Sequence, residues 1–226
     1  IAAGVRVYPW RLHDRTGRLS DRKSQRVHPC GRLPSIEVAA LPGTFASPAR
    51  PLAYVTGDSL DPSDIGPQIS CAFVIGSNRT FEDDPRFGLV VLSEIASRAL
   101  SPGINDSGTA IGVIGSLVRL LVLWSQPIDN DESVELEFDR VAIPELSLGD
   151  MFDDAFTVIS RDGAGAVEVA LRLQKAFEAL ASVANTETRE VSLHYACMAV
   201  ARAETALEFE EDRKAVRKAG RFALID

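Results

Sequence analysis

The stretch that decides the fold is ISCAFVIGSNRTFEDDPRFGLVVLSEIASRA, residues 69–99, because the spacing of its apolar residues changes partway along. In its first part, apolar residues alternate with their neighbours as on one face of a β-strand: Ile69, Cys71, Phe73 and Ile75. From Asp84, which can cap a helix that has Pro85 at its first position, apolar residues recur at helical spacing. They are Phe87, Val91, Leu92, Ile95 and Ala99. The stretch therefore predicts strand before about residue 77 and helix after 84.

Toward the N-terminus the pattern predicts more short strands. These are Ile36–Ala40, Thr44–Phe45 and Pro51–Val55, followed by a loop over 57–67 that is rich in Asp, Ser, Pro and Gly. We therefore expect a small β-subdomain over residues 33–77.

Toward the C-terminus the pattern is mostly helical. Asp106 or Ser107 can cap a helix that runs to about Trp124, and residues 133–143 alternate like a strand or one arm of a hairpin. Three more helices are predicted at 148–160, 164–183 and 186–209, with a charged tail to about 219. The predicted fold class is α+β, a small β-subdomain followed by a mainly helical domain over 78–226.

The charge of the chain is uneven. Residues 1–50 carry nine Lys/Arg and three Asp/Glu, a net of +6, so the total of −8 leaves −14 on residues 51–226. A basic irregular arm over 1–32 before an acidic body argues against nucleic-acid binding, which needs a basic face on the folded part. The arm is a candidate for contact with anionic lipid headgroups, and a solvated arm is the alternative.

Two further features bear on the compartment. The longest apolar run, Ala110 to Trp124, includes Arg119 and is shorter than the roughly 20 residues that span a bilayer, so we expect a soluble fragment. The chain begins at Ile1 rather than Met, which predicts a fragment or a processed chain. Its three cysteines are far apart, which predicts neither a zinc site nor a disulfide framework and fits a reducing compartment.

The densest polar cluster lies at 79–106, and it supplies the candidate ligand-binding residues Arg79, Arg98, Asn105 and Asp106. Asn105 and Asp106 follow the helix stop at 101–103, where Asx side chains commonly cap helices. The functional alternative is a helix N-terminus whose free amides bind an anion with help from Arg98.

No catalytic residue, metal or cofactor is predicted. Glu82, Asp83 and Asp84 could supply oxygen ligands, but carboxylates at a helix start are favoured by the helix dipole without a metal. His194 and Cys197 lie one helical turn apart on a packing helix, which favours a core histidine over a nucleophilic pair. The hydrolase, nucleotide-binding and zinc-protease motifs are absent from the sequence, so an enzyme is not the favoured class.

Two runs, NRTFEDDPRFGL at 78–89 and RALSPGINDSGTA at 98–110, resemble the signature of domain-of-unknown-function family 2254. The sequence departs from that signature at Ser107, where proline is expected. The resemblance covers roughly 30–220 and implies a bacterial membrane protein whose N-terminal part spans the membrane and whose C-terminal part is soluble. It supplies no known activity, substrate or catalytic residue.

The resemblance and the residues together favour one function and leave two others open. The first is a soluble, cytoplasmic assembly or regulatory domain of an inner-membrane protein, whose partner is its own membrane-spanning region. The second is an enzyme or a small-anion or ligand sensor with a cleft around Arg98 and Asn105–Asp106. The third is a detached interaction protein with no membrane partner. The Ala-rich helix at 186–209 predicts a homo-oligomer, with internal packing of that helix as the alternative.

Overall fold

The computed structural model describes residues 4–7, 35–57, 61–126, 138–183 and 185–224. They belong to two compact units, Ile1–Phe87 with Asn130–Glu145, and Gly88–Asp129 with Leu146–Asp226. Among these residues strands occur in the first unit and the second is helical, so the predicted α+β class is confirmed.

The first unit holds two small sheets and one helix. Its elements are β1 (Gly4–Val7), β2 (Ser35–Val38), β3 (Ala53–Thr56), α1 (Pro62–Ser70), β4 (Phe73–Gly76) and β5 (Val141–Ala142). β1 pairs antiparallel with β4, and the second sheet has the order β3-β2-β5. β2 runs antiparallel to β3, with Ile36 opposite Val55, and parallel to β5, with Ile36 opposite Val141.

Alternating burial along β2 explains the core of this unit. Ile36 and Val38 are buried while their neighbours are exposed, because successive strand residues point to opposite faces. The core is completed by residues from the following loop, α1 and β4: Ala40, Ile69, Ala72 and Phe73.

Several local predictions in this unit were wrong. Residues 62–70 form α1, where a loop and the start of a strand were predicted, because Asp61 caps a helix that has a proline in its first turn. The Asp61 carboxylate accepts hydrogen bonds from the Ser63 amide at 2.9 Å and its hydroxyl at 2.6 Å. The alternation from Ile69 to Ile75 was misread, since Ile69 and Phe73 are buried but Cys71 and Ile75 are exposed.

Three other differences concern strands. Thr44–Phe45 is not a strand, and Gly4–Val7 is one although it lies in the arm predicted as irregular. In the strand predicted near 133–143, residues 133–137 lie outside the described residues, and Val141–Ala142 forms β5.

The second unit is built from helices joined by short turns. They are α2 (Pro85–Ala99, which begins in the first unit), α3 (Ser107–Ser125), α4 (Leu148–Phe152), a π-helix (Asp153–Thr157), α5 (Val158–Asp162), α6 (Val167–Val183), α7 (Thr186–Ala206), α8 (Glu210–Ala219) and a 3₁₀ helix (Gly220–Leu224). The predicted caps at Asp84 and Asp106 accept hydrogen bonds from amides three residues later, and so does Ser147, which caps α4.

The core of this unit is apolar and partly aromatic. Phe152, Phe156 and Phe177 are fully buried, with the Phe156 and Phe177 rings edge to face at 5.0 Å between centroids. One side of α3 packs into the same cluster: Ala110, Val113, Ile114, Leu117 and Leu121.

The Ala-rich side of α7 is used inside the chain. Ala196, Ala199 and Ala203 are buried, and α7 makes its most extensive packing contact with α6. This side of the helix therefore packs inside the chain, and the predicted homo-oligomer stays a prediction.

Helix α3 is longer than the apolar run suggested. Its 19 residues have a mean hydropathy of 1.6 over the best window, so by length and composition it could cross a membrane. The expectation that this segment is too short to span does not hold for the helix. Core helices of soluble proteins pass the same test, and 28% of that window is buried.

Candidate functional site

The junction between α2 and α3 is an ordered turn built by backbone hydrogen bonds. The Asp106 amide donates to the carbonyl of Ala99 at 2.8 Å, and the Asn105 amide donates to that of Ser101 at 2.9 Å. Asn105 has φ +51°, the left-handed conformation that asparagine tolerates better than most residues. The predicted helix stop and Asx turn are therefore present, and Asn105 makes the reversal of the chain possible.

Asp106 is the N-cap of α3. Its Oδ1 accepts from the Thr109 amide at 3.0 Å, and its Oδ2 accepts from the Thr109 hydroxyl at 2.5 Å. These bonds, with the hydroxyl contributing most, lower the pKa of Asp106. A hydrogen bond from Ser107 likewise lowers the pKa of Glu168. Two carboxylates of the chain thus lie at the start of α3, where an external anion would compete with them.

The four predicted ligand residues fall in both units. Arg98, Asn105 and Asp106 belong to the second unit, where Arg98 is exposed on the last turn of α2 and its carbonyl accepts from the Ser101 hydroxyl at 2.7 Å. Arg79 belongs to the first unit, where it is bound to Asp84. A ligand-binding role for these residues stays a prediction.

Arg79 and Asp84 form a bidentate ion pair. Arg79 Nε donates to Asp84 Oδ2 at 2.6 Å and a terminal nitrogen donates to Oδ1 at 3.0 Å. Asp84 is only 3% exposed, and its Oδ1 also accepts from the Phe87 amide at 3.1 Å, which begins α2. The guanidinium carbon lies 5.3 Å from the centre of the Phe87 ring. The carboxylate is thus fully engaged by the chain itself.

Gly43 packs directly against this pair. It has φ +83°, and a Cβ built on it would lie 2.1 Å from Asp84 Oδ2 and 2.8 Å from Arg79 Nε. Only glycine fits here, because both the backbone conformation and the space exclude a side chain. The Arg79–Asp84 ion pair therefore has a structural role in the first unit, where it fixes the start of α2 and the turn at Gly43.

A second polar cluster, which sequence reasoning missed, lies on the π-helix. Tyr195 of α7 donates its phenol proton to Asp153 Oδ1 at 2.5 Å, and the Thr157 hydroxyl donates to the same oxygen at 2.8 Å. Arg202, also on α7, donates to the carbonyl of Thr157 at 3.0 Å. We call Asp153, Thr157, Tyr195 and Arg202 the π-helix cluster. Single-turn π-helices inside α-helices are frequent at functional sites.

The electrostatics of the π-helix cluster favour an ionised carboxylate. The hydrogen bond from Tyr195 is the main cause that lowers the pKa of Asp153, assisted by Thr157 and by the positive charge of Arg202. Burial, followed by the bond to Asp153, raises the pKa of Tyr195. The phenol therefore stays protonated and the carboxylate charged. This arrangement suits a hydrogen-bonded contact that holds two helices together better than it suits proton transfer near neutral pH.

The pair of His194 and Cys197 does not match its predicted environment. Both side chains are exposed, so His194 is not the core histidine that was expected. The His194 ring lies edge-on to Tyr195 at 5.5 Å between centroids. Among the described residues, no group of three or more His, Cys, Asp or Glu is arranged to hold a metal ion.

Within the residues that the structure describes, this is an α+β protein with two small sheets, a helical body and one helix that is long and apolar enough to cross a membrane. The chain belongs to domain-of-unknown-function family 2254, described as predicted membrane proteins, whose model matches residues 33–179. The resemblance is therefore confirmed at the level of the family.

Mycobacterial proteins are among the similar sequences. The chain is 47% identical over 58 residues to uncharacterized protein Rv1290c of Mycobacterium tuberculosis and to uncharacterized protein Mb1321c of Mycobacterium bovis. The match covers 25% of this chain and 11% of each of these curated relatives. No solved structure matches the chain.

Proposed function

We propose that this chain is a soluble, cytoplasmic domain through which a bacterial inner-membrane protein of family 2254 assembles or is regulated. The observation that carries the proposal is that the family's own matched segment, 33–179, contributes to two apolar cores of ordinary globular type. Helices α6 and α7 bury one side and expose charged residues on the other, as water-facing helices do.

The charge distribution supports the cytoplasmic side. The basic segment within residues 1–50 is of the kind that positive-inside bias retains in the cytoplasm, next to anionic headgroups. The two described cysteines are free thiols, which fits a reducing compartment.

The test uses reporter fusions in a bacterial cell. The open reading frame that contains this chain is fused after Asp226 either to alkaline phosphatase, active only in the periplasm, or to a cytoplasmic fluorescent protein. We expect fluorescence without phosphatase activity, in the membrane fraction. Phosphatase activity without fluorescence would overturn the cytoplasmic assignment, and full recovery in the soluble fraction would overturn the membrane association.

The alternative, an enzyme or small-anion sensor around Arg98 and Asn105–Asp106, stays a prediction. An anion at the start of α3 would have to displace the Asp106 carboxylate from the Thr109 amide. Thermal shift against phosphate, sulfate and nucleotides tests it, since a ligand that binds the folded state raises Tm.

A further inference from the structure

One side of helix α3 does not take part in the core of the second unit. Near the C-terminal end of the helix, Leu120 is 45% exposed, Leu123 65% and Trp124 50%. Residues three and four apart lie next to one another on a helix, so Leu123 and Trp124 both adjoin Leu120. A contiguous apolar patch of this kind marks a protein or membrane interaction site, whereas single exposed side chains are ordinary. We call Leu120, Leu123 and Trp124 the α3 patch.

The charge around the α3 patch differs from that of the chain as a whole. The chain carries −8 overall, whereas residues 107–125 contain no acidic residue and a single basic one, Arg119. Arg119 is exposed, and its guanidinium donates to the Ser116 hydroxyl at 2.9 Å. It lies four residues before Leu123 and hence beside the α3 patch. An arginine in this position can lay its stem along apolar side chains and keep N–H donors for the phosphate oxygens of lipid headgroups.

Two findings indicate lipid as the partner of the α3 patch. By length and mean hydropathy α3 reaches the level of a membrane span, and only 28% of that window is buried. The family to which the chain belongs consists of predicted membrane proteins, and its matched segment, 33–179, contains the whole of α3. Because Ile114, Leu117 and Leu121 are buried in the second unit, α3 meets a bilayer only with its outer side. A helix with one side on protein and the other on lipid lies along the membrane surface.

We propose that α3 lies in the plane of a bilayer surface, with the α3 patch inserted below the headgroups and Arg119 at the lipid phosphates. Tryptophan is enriched at this depth of a membrane, because its ring is apolar and its N–H is polar. In the N-terminal half of the helix Gly108 and Gly112 are exposed and offer little apolar area, so insertion is confined to the last two turns. This inference rests on the proposed function and deepens it, since it names lipid as a partner of the domain.

Apolar insertion, rather than charge, carries this contact. Asp129, Asp131 and Glu132 follow α3 closely in the sequence, so negative charge on the lipid does not strengthen binding at this end of the helix. The basic segment within residues 1–50 behaves differently, because its attraction to anionic headgroups is electrostatic and is screened by salt. Binding through the α3 patch should therefore occur on zwitterionic lipid and persist at high salt, which separates it from binding through the basic segment.

The exposed area fits a weak contact of a domain that is already held at the membrane. The half-exposed tryptophan offers about 100 Å², and the two leucines together offer about as much again. This area corresponds to about six CH₂ groups, fewer than in a myristoyl chain, which by itself binds only marginally. A tether raises the local concentration of lipid around the domain, so the α3 patch should insert when the chain is anchored to a bilayer.

Tethered chains on vesicles test the insertion directly. Trp10→Phe leaves Trp124 as the only tryptophan of the 226-residue chain. A histidine tag before Ile1 holds this chain on phosphatidylcholine vesicles that contain a small fraction of nickel-chelating lipid. In a second set of vesicles the phosphatidylcholine carries bromine on its acyl chains, which quenches tryptophan only at close range. We expect a blue-shifted Trp124 emission that brominated lipid quenches, and high salt should change neither result.

Two exposed leucines provide a variant and its matched control. Leu123→Asp places a charge in the α3 patch and should abolish the quenching by brominated lipid. Leu224→Asp changes a leucine that is 74% exposed outside α3, and it should leave the quenching unchanged. Circular dichroism and equal binding through the tag establish that both variants are folded and tethered.

Several results would overturn the proposal. They are Trp124 emission that brominated lipid does not quench, equal quenching in the two leucine variants, and quenching that high salt removes, which would assign the contact to the basic segment. A dimer that forms without vesicles and is dissociated by Leu123→Asp in sedimentation experiments would assign the α3 patch to a second copy instead. If the reporter fusion is cytoplasmic and membrane-bound while quenching is absent, this inference fails and the proposed function stands.

Discussion

Replacing Gly43 with alanine should destabilise the first unit strongly. A residue with a side chain at φ +83° costs about 1–2 kcal/mol. The new Cβ would also lie 2.1 Å from Asp84 Oδ2, so the ion pair with Arg79 has to move. Breaking a buried pair costs about 3–5 kcal/mol. The expected loss is therefore about 4 kcal/mol or more, against a total stability of about 5–15 kcal/mol.

The measurement needs separate probes for the two units, because one unfolding curve would average them. Amide hydrogen exchange read by mass spectrometry supplies them, with peptides from 35–57 and 73–87 reporting the first unit and peptides from 148–224 the second. Exchange should accelerate in the first set. Gly66→Ala is the matched control, since Gly66 lies in α1 with no atom within 4 Å of a built Cβ. Alanine there should be neutral or stabilising by up to about 1 kcal/mol.

A double-mutant cycle divides the loss of stability on Gly43→Ala into a steric contribution and a backbone contribution. In an Asp84→Ala background the clashing oxygen is gone and the Arg79 side chain, released from the carboxylate, can move away from the new Cβ. Gly43→Ala should then cost only the backbone term, about 1–2 kcal/mol. Equal costs in both backgrounds would refute the proposed contact with the ion pair. A loss below about 1 kcal/mol in the wild-type background would refute the whole argument.

Substitutions at three other positions test the second unit. Tyr195→Phe should lower stability by about 1 kcal/mol at pH 7, because its hydrogen bond to the exposed Asp153 is lost. Since the folded-state pKa of Asp153 is lowered, that difference is present above about pH 4 and should shrink as pH falls through the folded-state value, in urea denaturation. Gln174→Met should raise stability by up to about 1 kcal/mol in thermal denaturation, because it removes a fully buried amide oxygen that has no hydrogen-bond partner among the described residues. Asp106→Ala should speed hydrogen exchange of the Thr109 amide, because the cap oxygen is lost. Asp106→Asn keeps an acceptor oxygen and should leave the exchange rate nearly unchanged.

Helix starts were the most predictable features of this chain. Asp84 with Pro85, Asp106 and Ser147 each carry a local signal, because a short polar side chain bonds an amide three residues on whatever surrounds the helix. The switch from strand to helix was predictable for a related reason. The spacing of the apolar residues becomes helical near residue 84, and Asp84 can cap a helix at the same place.

The failures came where a local pattern has two solutions. Ile69 and Phe73 are four residues apart, which fits one face of a helix as well as every second position of a strand. The π-helix was not predictable from the sequence. Its one extra residue per turn only shifts the helical spacing of apolar residues, which still looks like that of a continuous α-helix. The π-helix cluster was missed because Asp153 and Tyr195, 42 residues apart in the sequence, meet only through packing.

Helix α3 shows why mean hydropathy alone gives two answers for one segment. Five of its residues, from Ala110 to Leu121, are buried in the core of the second unit, and this side would exist in any soluble protein. The core does not account for Leu120, Leu123 and Trp124, which are exposed, and the two leucines add to the mean hydropathy that brings the helix to the level of a membrane span. A helix that is apolar all round is buried on all sides, by protein or by lipid. Mean hydropathy therefore describes the two sides of this helix together, and packing in the core explains only one of them.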